Sequence, residues 1–214
     1  MKKQILSTLA IILIATSSFS QKVDTVFRMG IYDSYYSFDL KNPIIVTYVL
    51  HHGGGSCDRS HYRFKGDHFL KGRLATSTDY LHSGYDQGHM ANAEDFAYDC
   101  SLDELTFRFY NCVPQTKELN RGIWERMEAQ ARSLSQTDSL LIICGNTFDS
   151  TKIGNGVYVP TTCWKVIYSL KSEQVLLCSF FTNTATPTKT DIDFEKLADI
   201  IRTRYKINIK RFLR

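Results

Sequence analysis

The apolar residues of this chain fall into short runs with two different periods. Residues 44–50, entered through Pro43, are almost wholly apolar and rich in Ile, Val and Tyr, which predicts a strand. Residues 140–144 form a second continuous apolar run, closed by Gly145-Asn146, and predict a buried strand. Residues 164–170 and 175–181 predict two more, around a Lys171-Ser172-Glu173 turn. The aromatic residues Phe107, Phe109 and Tyr110 predict a strand over 106–110. The helical period occurs twice. Over 119–134, Ile123, Met127 and Leu134 fall near one face, while Arg126, Gln130 and Arg132 suit the wet one. Over 191–205, Phe194, Leu197 and Ile201 share a face, with Thr190 as the N-cap and Asp191 and Asp193 favourable near the helix start. Three glycines at 53–55 mark a loop. Strands and helices do not alternate regularly, so the expected class is α+β.

The first twenty residues stand apart. Lys2 and Lys3 precede an apolar run over 5–15, and Ser18 and Ser20 occupy the small-residue places before Gln21. This is the pattern of a bacterial secretory signal peptide. The run is short for a bilayer span of roughly 20 residues. The expected organisation is a leader over 1–20 and one domain over 21–214. The expected location is secreted or periplasmic, with no stable membrane association after cleavage. Lys2 and Lys3 are two of 26 basic residues, so without them 24 basic face 22 acidic residues. That mild balance permits a phosphate-rich partner without demanding one. All six cysteines lie beyond the leader: Cys57, Cys100, Cys112, Cys144, Cys163 and Cys178. Export would favour some pairing, and sequence does not choose among the roughly 15 connectivities. Cys144 and Cys178 sit in apolar runs and suit buried free thiols. There is no C-x-x-C, and the pairs Cys57/His61 and His51-His52 lack the second half of a zinc site.

Chemistry concentrates between residues 86 and 128. Phosphodiester hydrolysis needs a base to activate water, a cation to neutralise phosphate charge, and stabilisation of the leaving oxygen. A neutral histidine serves as base near pH 7, and His89 is placed for it. Asn120, opening a helix after a strand, is an oxygen ligand of the kind Mg²⁺ accepts while keeping most of its waters. On a regular helix Glu128 lies about 80° around and roughly 12 Å along from Asn120. It therefore suits contact through a water rather than direct ligation. Each residue also has a plainer reading: a structural histidine, a helix cap, a solvated glutamate, and for Asn111 a turn. Trp124 is read as core rather than as a stacking platform for bases.

Three ordered segments change the weighting. They are Asp86-Gln87-Gly88-His89, Asn111-Cys112-Val113-Pro114-Gln115 and Leu119-Asn120-Arg121-Gly122-Ile123-Trp124. In order and spacing this stretch resembles the DNA/RNA non-specific endonuclease family, which includes the Serratia-type nuclease and endonuclease G. The family hallmarks are D-R-G-H, S-N-x-x-P-Q and L-N-x-G-x-W. Ser83-Gly84-Tyr85, Ile143-Cys144-Gly145-Asn146, Val159-Pro160-Thr161 with Trp164-Lys165-Val166, and Phe181-Thr182-Asn183 extend the resemblance over roughly residues 42–205.

The resemblance implies a ββα-metal finger in an α+β body with a central, largely antiparallel sheet and flanking helices. It implies an endonuclease that cuts DNA and RNA without sequence specificity and leaves 5′-phosphates. Its implied cofactor is Mg²⁺, for which Mn²⁺ can substitute. It carries over His89 as general base, Asn120 as direct metal ligand, Glu128 as a ligand through water, and Asn111 as a residue positioning the histidine and substrate. Asp86, Gln87 and Arg121 are expected on the substrate side. Gln87 replaces the hallmark Arg, which removes a forked cationic donor near the phosphate. Asn92 replaces the Pro common after the histidine. Arg59 is the candidate for an upstream phosphate-side arginine, with Arg63 as a rival. Expected partners are DNA and RNA through their backbones, and a homodimer is left open. The alternative reading, motivated by Gln87, is a relative that binds nucleic acid and cuts poorly. A third, a disulfide-stabilised interaction domain, explains the cysteines but not the motif order. A base that must be neutral implies activity falling below about pH 6.5.

Overall fold

The computed structural model describes residues 21–213; residues 1–20, which carry the leader reading, lie outside them. Nine strands are described: β1 (Thr25–Arg28), β2 (Asp33–Ser37), β3 (Asn42–Leu50), β4 (Tyr85–His89), β5 (Cys112–Thr116), β6 (Leu140–Ile153), β7 (Val157–Ser169), β8 (Gln174–Thr182) and β9 (Lys189–Asp191). The α-helices are α1 (Ser77–Tyr80), α2 (Cys100–Leu105), α3 (Glu125–Ser135) and α4 (Phe194–Tyr205). Seven strands make one antiparallel sheet in the order β1-β2-β3-β6-β7-β8-β9, and β4 and β5 form a separate antiparallel pair.

The central strands read as continuous apolar runs because both faces of the sheet are covered. Side chains alternate between the two faces of a strand. On β6, Leu140, Ile142 and Cys144 enter the core that packs the β4–β5 finger and its helix, while Leu141 and Ile143 enter the core beneath α4. On β7, Cys163 and Ile167 face the finger and Trp164, Val166 and Tyr168 face α4. The same alternation puts Lys165 on the finger side. Burial of Trp164 constrains its neighbour strand: a Cβ at Gly145 would lie 2.0 Å from the Trp164 ring.

Several expected boundaries move. Residues 106–110 are not a strand. Only an isolated bridge between Lys65 and Arg108 forms, and the chain then turns through a 3₁₀ segment, Phe109–Asn111. Their aromatic residues pack inward rather than along a ladder. The last helix starts at Phe194, capped by the Asp193 carboxylate accepting from the Lys196 N–H, and Thr190 lies instead in β9. The strand over 140–144 runs on through Gly145-Asn146 to Ile153. The helix over 119–134 begins as a π-helical segment, Leu119–Trp124, kinked at Gly122 (φ −123°, ψ −111°), before regular α3. Asn120 and Glu128 therefore do not stand in regular-helix register.

The finger is fastened to the main sheet by Asn183, after β8. Its Nδ2 donates to the carbonyls of Pro114 (2.9 Å) and Pro160 (2.9 Å), and its Oδ1 accepts from the Thr116 N–H (2.8 Å). One buried amide thus ties β5 to β7 and fixes the height of the finger above the sheet.

Candidate active site

β4 ends at His89, paired with Cys112 of β5, and Gly88 pairs with Val113. The glycine is dictated by packing: a Cβ there would fall 2.0 Å from Oε1 of the buried Gln115. The G-H of the first segment and the P-Q of the second are two sides of one contact. His89 is clasped by Phe64 and Phe107, each with its ring centroid 4.6 Å away. Nε2 is buried and meets no hydrogen-bond partner, although the ring keeps part of its surface open. Burial pushes the imidazole from its ordinary 6.5 down to about 3, and the nearby Arg59 charge acts in the same direction. The ring is neutral across the physiological range. If His89 is the base, this shift would carry the fall in activity expected below pH 6.5 to more acid pH.

Asn111 is fully buried. Its Oδ1 accepts from the Ala91 N–H (2.8 Å), and its Nδ2 donates to the carbonyls of Ala91 and Thr106 (2.9 Å each). It fixes the chain just beyond His89. Both amide atoms are bonded to the backbone of Ala91 and Thr106, so its positioning of the site passes through the chain around His89.

Asp86 and Arg121 pair with each other. The Arg121 Nε and Nη2 donate to the two Asp86 oxygens at 2.7 and 2.8 Å, and Asn120 Nδ2 donates to Asp86 Oδ2 at 3.1 Å. These donors hold the Asp86 carboxyl below its ordinary range against the effect of burial. Asp86 thus anchors the Leu119–Trp124 segment to β4, and a free carboxylate there would repel phosphate. The anchor also settles the Asn120 amide: with Nδ2 on Asp86, Oδ1 is left without a donor among the described residues. Gln87, opposite Pro114, makes no side-chain hydrogen bond to any described residue.

Glu128 is buried on α3. Its Oε1 accepts from Lys165 Nζ at 3.4 Å, and its Oε2 accepts from Asn92 Nδ2. Asn92 Oδ1 accepts from Arg132 (3.1 Å), which also pairs with Asp95 (3.1 Å), itself bonded by the Tyr48 hydroxyl (2.7 Å). Lys165 lies over the Trp124 ring at 4.1 Å, and Trp124 is core. Burial pushes the Glu128 carboxyl up to about 6 against the pull of Lys165. Burial also works against the Lys165 charge, and Glu128 outweighs it. In the sequence, Lys165 figures only as part of the resemblance and Asn92 only as a departure from it, neither with a role in the site. The signal available was a lysine in an otherwise apolar strand, and an amide where the family commonly has Pro.

Arg59 approaches this site and Arg63 does not. Arg59 is the charge acting on His89, and it pairs with Glu94 and with Asp103 (Nε–Oδ2 3.4 Å). Arg63 is turned to the carbonyls of Ser60 and Tyr62. Cys57 is joined to Cys100 by a disulfide, and Cys112, Cys144, Cys163 and Cys178 are buried free thiols.

A paired strand unit presenting histidine beside a helix that presents an amide oxygen is a ββα nuclease arrangement. The family model for DNA/RNA non-specific endonucleases matches residues 13–208, and the chain belongs to that family. It is 34% identical over 154 residues to the mitochondrial nuclease EXOG of Xenopus laevis, covering 64% of this chain and 43% of that protein. It is 32% identical over 166 residues to nuclease C1 of Cunninghamella echinulata var. echinulata, covering 69% of this chain and 66% of that one. Among solved structures it resembles that of an EndoG/EndoGI complex, in which EndoG is inhibited, with TM-score 0.67, 26% identity, and 84% and 82% of the two chains covered. These matches correct the expected location. The EXOG nucleases of Xenopus laevis, Mus musculus and Homo sapiens and the endonuclease G of Bos taurus are mitochondrial, which points away from a bacterial secreted or periplasmic protein.

Proposed function

We propose that this protein is a divalent-cation-dependent endonuclease that hydrolyses phosphodiester bonds in both DNA and RNA without reading base sequence. The observation that carries the reading is the pairing of a desolvated, neutral His89 with an Asn120 carbonyl oxygen left open by its amide's anchor on Asp86. An amide oxygen suits a hard cation that keeps most of its waters, and Mg²⁺ is the proposed ion, with Mn²⁺ as a substitute. Glu128 is the second group proposed to face the cation, at one water's remove. When bound, the cation supplies positive charge against the phosphoryl group and the leaving 3′ oxygen.

The rest of the chemistry falls to side chains of this chain. Nε2 of His89 is occluded, so the nitrogen left to meet an incoming water is Nδ1. There the neutral ring takes the proton as the water attacks phosphorus, and the phosphate ends on the 5′ side of the break. Phe64 and Phe107 keep the ring neutral and ready. Asn111 fixes the backbone that presents it. Arg59 and the amide of Gln87, which has no hydrogen-bond partner among the described residues, are the proposed donors to the phosphate, in place of the family's arginine at position 87. Backbone contacts alone give weak sequence preference.

The test is digestion of supercoiled plasmid and of structureless RNA by the purified protein with Mg²⁺, with and without EDTA. Cleavage of both that stops with EDTA is expected. Survival of both substrates after prolonged incubation with Mg²⁺ or Mn²⁺ contradicts the reading and favours a relative that only binds nucleic acid.

A further inference from the structure

Arg59 lies in a long irregular segment, yet three ties fix it. Two residues earlier, Cys57 is joined to Cys100, the first residue of α2. One turn along α2, Asp103 is fully buried and reaches Arg59 Nε at 3.4 Å. Its carboxylate oxygens meet no hydrogen-bond donor, so the guanidinium is its sole ion partner among the described residues. The third tie is Glu94, on the 3₁₀ segment Ala93–Phe96 that follows His89, which accepts from Arg59 Nη2. The bridge thus draws the arginine segment and one of its counter-charges into a single unit beside the histidine. Cys100 is exposed, so the bond is open to attack from solvent. The other four cysteines are buried and unpaired, and burial pushes each thiol up to about 12. A reductant therefore meets one disulfide and no competing reactive thiol.

We propose that the Cys57–Cys100 disulfide is a positioning device for Arg59, and that a dithiol reductant slows phosphodiester cleavage by releasing that arginine. The inference rests on the nuclease reading and on Arg59 as a phosphate donor. The redox step is ordinary exchange. One thiolate of the dithiol attacks a bridge sulfur, the S–S bond breaks, and a mixed disulfide forms. The second thiol resolves it, so the dithiol loses two electrons and becomes a disulfide, while Cys57 and Cys100 each end as a protonated thiol. Neither cysteine belongs to either hydrophobic core, so the sheet and its two packed faces do not depend on the bond.

The experiment compares plasmid cleavage with Mg²⁺ by wild type and Arg59→Gln, each before and after dithiothreitol, with free thiols counted. A Cys57→Ser/Cys100→Ser double variant serves as a permanently open form. Reduced wild type and the serine pair are expected to lose at least about tenfold in rate, short of the roughly 10²- to 10³-fold cost of deleting one charge-stabilising donor outright. Their circular dichroism should stay folded. Reduction of Arg59→Gln should change its rate by less than about twofold, the sign that bridge and arginine act as one unit. An unchanged wild-type rate overturns the proposal, and so does an equal loss in Arg59→Gln. Loss of the folded spectrum on reduction also overturns it, because the bridge would then hold the fold rather than one side chain. Should the serine pair not fold, the reductant series on the intact protein carries the same comparison. If oxidised wild type does not cut at all, the nuclease reading fails first and this inference with it.

Discussion

Replacing Gly88 with Ala tests whether two of the three sequence segments meet where the fold places them. The new Cβ would stand 2.0 Å from Gln115 Oε1, 2.5 Å from its Cδ and 2.8 Å from its Cγ. Relief needs the amide to retreat by more than about 1 Å, to ordinary carbon–oxygen contact. Gln115 has no free space to retreat into, being fully buried with Nε2 on the Cys163 sulfur at 3.4 Å. Overpacking costs about 1–3 kcal/mol, and loss of the amide's hydrogen bond about 1 kcal/mol more. Gly88→Ala should therefore destabilise the protein by about 2–4 kcal/mol. Gln115→Ala opens the space, so in the double variant most of the glycine penalty should vanish, an interaction energy of at least about 1 kcal/mol. Urea unfolding followed by fluorescence suits the measurement, because Trp124 and Trp164 are both buried. A Gly88→Ala penalty below about 0.5 kcal/mol, or strictly additive single effects, would refute the packing argument.

Other expectations follow from the buried charges. Between pH 6.5 and about 3 the unfolded chain binds a proton at His89 that the folded chain does not, so stability falls as pH drops through that window. At pH 5 this difference is about 2 kcal/mol. His89→Phe should flatten that slope in pH-dependent unfolding, and an unchanged slope would show that the ring is not desolvated. In the same window, kcat/KM of wild type should show no acid limb at 6.5, and a limb there would place the base in open solvent. Lys165→Met leaves the Glu128 carboxylate buried without its cation and should cost about 3–5 kcal/mol. Adding Glu128→Leu should recover much of that loss, and a lower urea midpoint for the double variant than for Lys165→Met would contradict the pairing.

How much of this was legible in the sequence depended on whether a residue's partner was local. The runs at 44–50 and 140–144 announced buried strands because both faces of the sheet are covered. His89, Asn111 and Asn120 stood out through their segment order. The helix start at 191 was misplaced because Asp191 and Asp193 are both competent first-turn residues, and only the pairing of β9 with β8 decides between them. Phe107 looked like strand sequence, but its partner is the His89 ring, and nothing local encodes that contact. The bidentate pair of Asp86 with Arg121 was not legible because its members lie 35 positions apart. The regular-helix estimate for Asn120 and Glu128 failed at Gly122, whose backbone leaves the helical region. Arg59 and Arg63 could be told apart only once the fold placed one near His89.

Whether a neutral His89 takes a proton from water is measured most directly by the initial rate of supercoiled plasmid cleavage with Mg²⁺ for wild type against His89→Ala. The variant should remain folded and keep its affinity for DNA while its rate drops by roughly 10²- to 10⁴-fold, the range for loss of a general base. A His89→Ala rate within a few-fold of wild type would contradict the account.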